Sequence, residues 1–284
     1  MNNFWTRTIT GLSMVFILLA ALWFSGWVFA VIFLVITILG LWEFYGLISN
    51  ENCHPQKLYG TFAGAFLFLT AALMYLIPWT LSKEEVTMLA MIPFLITVPL
   101  FFLTFIIEIY RNKPNPLMNI ATTTLGFFYI ALPFSMLLYF SQPEALHFLG
   151  MPVILVGYFA FTWIYDTMAY LYGRQFGKHK FFERISPKKT WEGTIAGAVV
   201  TFALAFGLHF LVPDMPLSDW LALACMVVFF GTHGDLVESL LKRSLNIKDS
   251  GTILPGHGGI LDRFDTMLIS APFVFLYFFL HHPI

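Results

Sequence analysis

The stretch "WVFAVIFLVITILGLWEFYGL", residues 27–47, decides the fold class of this 284-residue chain. It carries a single charged residue, Glu43, close to its end. A helix needs about 20 predominantly apolar residues to cross the hydrocarbon core of a bilayer. The stretch therefore predicts a membrane-spanning helix, with Glu43 at the membrane–water interface.

The same length criterion, applied outward from this stretch, predicts about nine membrane helices. The chain is 58% hydrophobic and 11% charged, whereas soluble domains carry about 25% charged residues. We therefore predict an all-α, polytopic integral membrane protein, and we interpret its first apolar run as an uncleaved helix because no small-residue cleavage site follows it. The predicted spans are roughly 8–25, 27–47, 58–78, 87–108, 117–140, 151–172, 194–212, 218–237 and 266–281.

The basic residues predict the orientation of these spans. With a cytoplasmic N-terminus, all of the 15 lysines and arginines except Lys83 fall on the cytoplasmic side, as the positive-inside rule requires. Two large polar loops, 173–193 and 238–265, then face the cytoplasm. We predict two regions: an N-terminal transmembrane scaffold of about five helices over 1–150, and a C-terminal catalytic membrane region over 151–284 that includes both loops.

Acidic residues at two predicted helix ends indicate a metal–phosphate site. Asp235, Glu238 and Lys242 share one helix face with Ser239, and Asp262 and Asp265 are three positions apart where the last span begins. Carboxylate oxygens without nitrogen or sulfur ligands suit Mg²⁺, Mn²⁺ or Ca²⁺, and Mg²⁺ commonly completes its shell with water and substrate phosphates. The alternative is that these charges only solvate a loop, but ionisable groups at membrane helices tend to be functional.

Two further motifs fit phosphate binding. In "LPGHGGI", residues 254–260, Gly258 and Gly259 permit a backbone nest for an anion, and His257 could bond to phosphate; a flexible turn with a structural histidine is the alternative. In "SPKKTWEG", residues 186–193, cations and hydroxyls suit a triphosphate, although positive-inside bias alone would also place lysines there. Asp166 lies within the sixth span, where an acid is either functional or the partner of a helix-end cation.

The passage 239–265 resembles the signature of the phosphatidate cytidylyltransferases, or CDP-diacylglycerol synthases. The resemblance is strongest over about 160–270, and "SPKKTWEG" is similar to a second stretch usual in that family. Every fixed position of the signature is present: Ser239, Lys242, Arg243, Lys248, Asp249, Gly251, Leu254, Pro255, His257, Gly258, Gly259, Asp262, Arg263 and Asp265.

The resemblance implies that the protein transfers CMP from CTP to phosphatidic acid, giving CDP-diacylglycerol and pyrophosphate, with Mg²⁺ or Mn²⁺ as cofactor. A second cation is left open. The expected partners are CTP, phosphatidic acid and membrane lipids, with no nucleic acid, and the resemblance makes a homodimer plausible. The compact chain, without an apparent organelle-targeting segment, favours a bacterial inner membrane, with the active site facing the cytoplasm.

We assign hypothetical roles on this basis, with Asp235, Asp262 and Asp265 as metal ligands. The predicted catalytic residues are Asp235, Asp262, Lys242, Arg243, Asp249 and Asp265. The predicted substrate-binding residues are Ser186, Lys188, Lys189, Thr190, Ser239, Lys248, His257, Gly258, Gly259, Arg263 and Asp166.

Other functions predict different observations. A CTP-dependent lipid kinase, similar to dolichol kinase, would release CDP instead of pyrophosphate. CDP-alcohol phosphotransferases and prenyltransferases use other Asp-rich patterns, which the sequence lacks. A divalent-cation transporter would place acids deep within several spans, whereas only Asp166 clearly lies inside one, and a structural scaffold would not need the cluster of glycines and acids.

Overall fold

The computed structural model describes residues 3–76, 92–142, 145–251 and 258–282. These ranges are mostly helical, which confirms the predicted class of an all-α polytopic membrane protein. Two short antiparallel hairpins join helices: β1 (His147–Phe148) with β2 (Met151–Pro152), and β3 (Lys180–Phe182) with β4 (Ser186–Thr190). The helices are α1 (Asn3–Phe24), α2 (Gly26–Ile48), α3 (Lys57–Leu76), α4 (Ile92–Arg111), α5 (Pro116–Ser141), α6 (Val153–Phe176), α7 (Trp191–Leu211), α8 (Leu217–Ser244) and α9 (Leu261–His281).

These helices follow the predicted spans closely, with two extensions that matter for the polar passage. α8 continues to Ser244, and α9 already begins at Leu261, so both helices include charged residues that the length criterion left in a loop. Among the described residues, seven helices are long and apolar enough to cross a membrane: α2, α3 and α5 to α9. The total of nine spans and the cytoplasmic N-terminus stay predictions.

The chain divides into two compact units. The first contains residues 1–145, 249–264 and 279–284, and the second contains 146–248 and 265–278. α9 contributes residues 261–264 and 279–281 to the first unit and residues 265–278 to the second. The segment 249–264, which follows α8, belongs by its contacts to the N-terminal helices of the first unit.

Aromatic side chains form the core of the first unit. Phe33 of α2 meets Phe134 of α5 edge to face, with ring centroids 5.5 Å apart, and meets Phe264 of α9 at 5.9 Å. The Phe134 and Phe264 rings are also edge to face, at 5.6 Å. All three side chains are almost completely buried, and edge-to-face pairs of this kind add to the stabilisation from burial itself.

A buried polar cluster ties α4 and α5 to the loop before α3. The carboxylate of Glu108 accepts hydrogen bonds from Gln56 Nε2 at 2.7 Å, Asn119 Nδ2 at 2.7 Å and Arg111 NH1 at 2.8 Å. Arg111 also donates to the carbonyl of His54 at 2.8 Å. Because each donor satisfies one lone pair of the buried carboxylate, the cluster stabilises the first unit without leaving an uncompensated charge.

In the second unit, glycines let α6 and α7 approach each other closely. A Cβ atom at Gly193 would lie only 2.9 Å from the Cα of Gly173, and one at Gly197 would lie 3.0 Å from the carbonyl oxygen of Tyr165. Small residues at such crossings allow membrane helices to pack backbone against backbone. The close approach positions the α6 end, the β3–β4 hairpin and the α7 start beside one another.

α8 contains a π-helical turn at Val227–Gly231, directly before its polar end. Such turns interrupt the regular hydrogen-bond ladder and are frequent at functional sites. The hydroxyl of Thr232, the next residue, bonds to the carbonyl of Val228 at 2.6 Å and to the hydroxyl of Tyr165 on α6. The irregular turn is thereby joined to α6 just where the polar residues of α8 begin.

Candidate active site

The β3–β4 hairpin is fixed to the start of α7 by polar contacts. Thr190 is the N-cap of α7, and its side chain accepts a hydrogen bond from Gly193 N at 3.3 Å. Glu192, in the first helical turn, accepts from the backbone N–H groups of Lys178 and His179 at 3.1 and 3.2 Å, and it contacts His179 Nδ1 at 2.6 Å. The Thr190 hydroxyl satisfies a free N–H group at the start of α7, and the Glu192 carboxylate binds N–H groups of the loop after α6, so this end of the hairpin is fixed to α7.

A cavity of about 560 Å³ opens between this hairpin, α6, α7 and α8. This is the usual size for a small-molecule site. Among the described residues, four cations on its wall outnumber two carboxylates, so the cavity favours an anionic ligand; we call it the basic cavity. Its polar lining comprises Tyr165, Asp166, Tyr170, Arg174, Lys180, Ser186, Lys188, Lys189, Thr190, Thr194 and Asp235.

An ion pair crosses the basic cavity. Lys189 Nζ lies 2.7 Å from Asp235 Oδ2 and donates to the carbonyl oxygen of Thr232 at 3.3 Å. The two side chains are 22% and 32% exposed, so the pair is partly desolvated but reachable from the cavity. The contact places a hairpin cation directly beside an α8 carboxylate, an association that neither local motif predicts.

Further acids surround Asp235 in the second unit. Asp265 of α9 is half-buried and lies within electrostatic reach of Asp235, Glu238 and Asp166. The Asp166 side chain is exposed on the cavity wall and is not sealed within the protein. Like charges this close repel one another, so the group favours a bound cation or cationic side chain nearby.

The polar residues at the end of α8 lie on one helix face, as their spacing predicts. Glu238 is buried and forms an ion pair with Lys242 one turn on, and Ser239 Oγ lies 3.5 Å from Asp235 Oδ1. Arg243 is exposed and donates to the carbonyl of Ile247 at 3.4 Å. Lys248 and Asp249, which follow α8, have exposed side chains.

The remaining predicted residues lie at the start of α9, in the first unit. Asp262 Oδ2 accepts hydrogen bonds from Ser250 N at 2.8 Å and Gly259 N at 2.9 Å. Arg263 is exposed, and Gly258 has a φ of 83°, the left-handed conformation expected for this turn. His257 lies outside the described residues, as do Leu254 and Pro255.

Comparison with known proteins adds to this geometry. A model of the cytidylyltransferase family matches residues 5–281, nearly the whole chain. The chain belongs to the cytidylyltransferase family. The resemblance carried by residues 239–265 is thereby confirmed.

Several named bacterial proteins are similar to the chain over part of its length. They include the phosphatidate cytidylyltransferases of Staphylococcus haemolyticus (strain JCSC1435) and Staphylococcus saprophyticus subsp. saprophyticus, each 41% identical over 158 residues, and that of Staphylococcus aureus (strain COL), 40% identical over 158 residues. In each pair the matched part is 55% of this chain and 55% of the relative. The chain thus spans about half the length of the curated relatives it matches.

The sequence patterns identified some residues of the basic cavity and missed others. They singled out Ser186, Lys188, Lys189, Thr190, Asp166 and Asp235, all of which line the basic cavity. They did not assign Tyr165, Arg174, Lys180 or Thr194 to the site, and the basic residues among them were counted only for orientation. The place of Glu43 at the membrane–water interface stays a prediction; within the protein its side chain is buried. A lone acid in an apolar span was the available signal that it has a specific role.

The residues of the basic cavity suit a hard divalent cation. Asp166 and Asp235 offer carboxylate oxygens, and Ser186 and Thr194 add hydroxyls; among the described residues, no thiolate or imidazole lines the cavity. Within the described ranges, no three acidic, histidine or cysteine side chains are grouped closely enough to hold a metal by themselves. That donor set fits Mg²⁺, which takes one or two carboxylates and completes its shell with water and substrate phosphates.

Proposed function

We propose that this protein is a phosphatidate cytidylyltransferase, which transfers CMP from CTP to phosphatidic acid and releases pyrophosphate. Membership of the cytidylyltransferase family and the named Staphylococcus relatives support the reaction type. The observation that carries the proposal is the basic cavity, whose four cations and two carboxylates suit a triphosphate with its divalent cation.

The proposed reaction requires alignment and charge neutralisation more than proton transfer. A phosphate oxygen of phosphatidic acid, already an anion, bonds to the α-phosphorus of CTP. The bond from that phosphorus to the oxygen bridging to the β-phosphate breaks, and pyrophosphate leaves with the electron pair. Negative charge develops on the leaving group, and preorganised cations in a partly dry site stabilise it.

The residues of the basic cavity divide these tasks. We propose that Lys188 and Lys189 contact the triphosphate, together with Lys180 and Arg174 from the same wall. Asp235 and Asp166 would hold Mg²⁺ or Mn²⁺, which supplies charge neutralisation on the phosphates. Asp265 orients the acidic group, while Asp262 keeps its predicted role as a ligand. Lys242, Arg243, Lys248, Asp249, Ser239 and Arg263 keep their predicted roles near the phosphates.

We further propose that the site faces the cytoplasm at a bacterial inner membrane. There the cavity meets both a water-soluble nucleotide and the headgroup of a membrane lipid. The Staphylococcus relatives and the apolar helices support a bacterial membrane location. A homodimer is part of the proposal and is tested by measuring the mass of the detergent-solubilised protein, with the detergent subtracted.

A product assay tests the proposed function. The purified protein is incubated in detergent with phosphatidic acid, Mg²⁺ and CTP labelled at the α-phosphate, with and without EDTA. We expect label in the lipid fraction and pyrophosphate in the water, with EDTA blocking both. Label that stays in the water as CDP would instead establish a CTP-dependent lipid kinase. If no metal-dependent turnover occurs with phosphatidic acid or a lipid alcohol, the enzymatic proposal is wrong and a transporter or scaffold takes its place.

A further inference from the structure

Glu43 is a buried acid to which the proposed reaction gives no direct role. It lies near the end of α2, is 8% exposed, and is the only charged residue in the stretch 27–47. Its carboxylate accepts hydrogen bonds from Ile260 N to Oε2 at 2.9 Å and from Leu261 N to Oε1 at 3.1 Å. The hydroxyl of Ser250 also donates to Oε1. These contacts lie within the first unit and join α2 to the segment before α9.

The position of Glu43 has a clear physical reason. The first N–H groups of a helix lack partners within the helix, and the helix dipole makes that end partly positive. Ile260 and Leu261 are the residues at which α9 begins. The carboxylate of Glu43 therefore caps α9 from a neighbouring helix, and the two N–H groups in turn compensate a charge that would be costly to bury alone.

Two glycines of the polar passage are explained by this contact. A Cβ atom at Gly259 would overlap Glu43 Oε1 and Ser250 Oγ, and one at Gly251 would lie 2.7 Å from Glu43 Oε2. A larger residue at either position would push the carboxylate away from the start of α9. Among the described residues, these two glycines therefore allow the backbone of the polar passage to lie against the carboxylate of Glu43.

Asp262 also binds the backbone of this segment. Its Oδ2 accepts from the backbone of Ser250 and Gly259, and it lies 3.0 Å from Ser250 Oγ. A hydroxyl carries one proton, so Ser250 donates to one carboxylate at a time while its backbone remains bonded to Asp262. Glu43 and Asp262 thus share Ser250 and fix the backbone on which Arg263 follows.

We propose that Glu43 is a positioning residue for cytidylyl transfer: it holds the segment 258–263, and with it Asp262 and Arg263, in the arrangement that turnover requires. The proposal rests on the proposed function, from which Asp262 and Arg263 take their roles as metal ligand and phosphate contact. In this proposal Glu43 acts through the protein backbone and not by direct contact with substrate or metal. Its effect on the reaction passes through the backbone of Ile260 and Leu261.

The test compares Glu43→Gln, Glu43→Ala and Gly259→Ala in the full-length protein, with Glu108→Gln as the matched control. Glu108 is also a buried acid of the first unit with three side-chain donors, but its partners lie on α4, α5 and the loop before α3. For each variant we would measure kcat, the KM for CTP, the thermal midpoint in detergent, and hydrogen–deuterium exchange of the amides in 258–264.

We expect kcat of the folded Glu43→Ala protein to fall by about 10- to 100-fold, as for other small misplacements of catalytic groups. The KM for CTP should change less than kcat, because the cations of the basic cavity are unchanged and Arg263 is the phosphate contact that the loss of Glu43 would displace. Exchange at 260 and 261 should be at least about tenfold faster. Glu43→Gln, which keeps one acceptor oxygen, should lie between Ala and wild type, and Gly259→Ala should reproduce the loss. Glu108→Gln should lower the thermal midpoint while kcat per folded protein stays unchanged.

Three results would overturn the proposal. One is a wild-type kcat in folded Glu43→Ala. Another is a reduced kcat without faster exchange in 258–264, because Glu43 would then act without holding the segment. The third is failure of even Glu43→Gln to fold, which would make Glu43 a residue of global stability. Failure of the proposed function is separate: the wild-type protein would then make no CDP-diacylglycerol, while the exchange experiment would still show whether Glu43 holds the segment.

Discussion

Replacement of Lys189 by alanine separates a catalytic role from a structural one. Lys189 Nζ lies 2.7 Å from Asp235 Oδ2 in the basic cavity, and its side chain is 22% exposed. Ion pairs with this much solvent access contribute about 1 kcal/mol or less to stability, because water screens them and ordering two side chains costs entropy. We therefore expect Lys189→Ala to fold and to shift the thermal midpoint only slightly.

The expected effect on turnover is much larger. In the proposed reaction Lys189 stabilises charge that develops on the phosphates, and removing one preorganised donor of this kind costs about 2.7–4 kcal/mol, or 10²–10³ in kcat. Alanine also removes the cation paired with Asp235, while the Asp265 carboxylate remains within electrostatic reach of Asp235. Lys189→Arg keeps the charge and should retain more turnover than Lys189→Ala.

The assay is release of pyrophosphate from CTP with phosphatidic acid and Mg²⁺, normalised to folded protein. Lys178→Ala is the matched control, because Lys178 is an exposed cation of the same loop that does not line the basic cavity. Wild-type turnover in Lys189→Ala would refute the assignment. An equal loss in both variants would refute it as well, since only the total charge of the loop would then matter.

Further predictions concern the proposed metal ligands and the cap of α7. Asp235→Asn and Asp262→Asn should each abolish turnover while the protein still elutes as a folded species in detergent; near-normal activity of either purified variant would contradict its role as a ligand. EDTA should stop turnover, and added Mg²⁺ or Mn²⁺ should restore it, whereas turnover in excess chelator would disprove the metal requirement. Thr190→Ala should destabilise the protein by about 1 kcal/mol through loss of the α7 cap, seen as a lower thermal midpoint, and an unchanged midpoint would show that the cap contributes little.

Much of the fold could be predicted from local sequence. Apolar stretches of sufficient length must become helices in a bilayer, because the hydrocarbon core offers no partner for backbone N–H and C=O groups. This requirement concerns one segment at a time, so the helices lie close to their predicted positions. The errors occur at helix ends, as at the start of α9 near Leu261, where charged residues continue a helix that the hydropathy criterion ends early.

The candidate site could be predicted only in part. Periodicity correctly placed Asp235, Glu238 and Lys242 on one helix face, because that relation depends on helix geometry alone. The motif 186–193 pointed to Lys189 as a cation but not to Asp235 as its partner. The hydroxyl bond between Tyr165 and Thr232 and the π-helical turn before it have no signature in either segment.

The sequence by itself thus determined the membrane-helical class and the residue types available for phosphate and metal chemistry. The tertiary structure alone decided which of them meet: Lys189 with Asp235, and Glu43 with Ser250, which lies 207 positions further along the chain. Such contacts depend on how helices cross and on which glycines allow close approach. The physical reason is that hydrophobic length acts within a single segment, whereas a hydrogen bond between distant residues exists only once packing has brought both backbones into place.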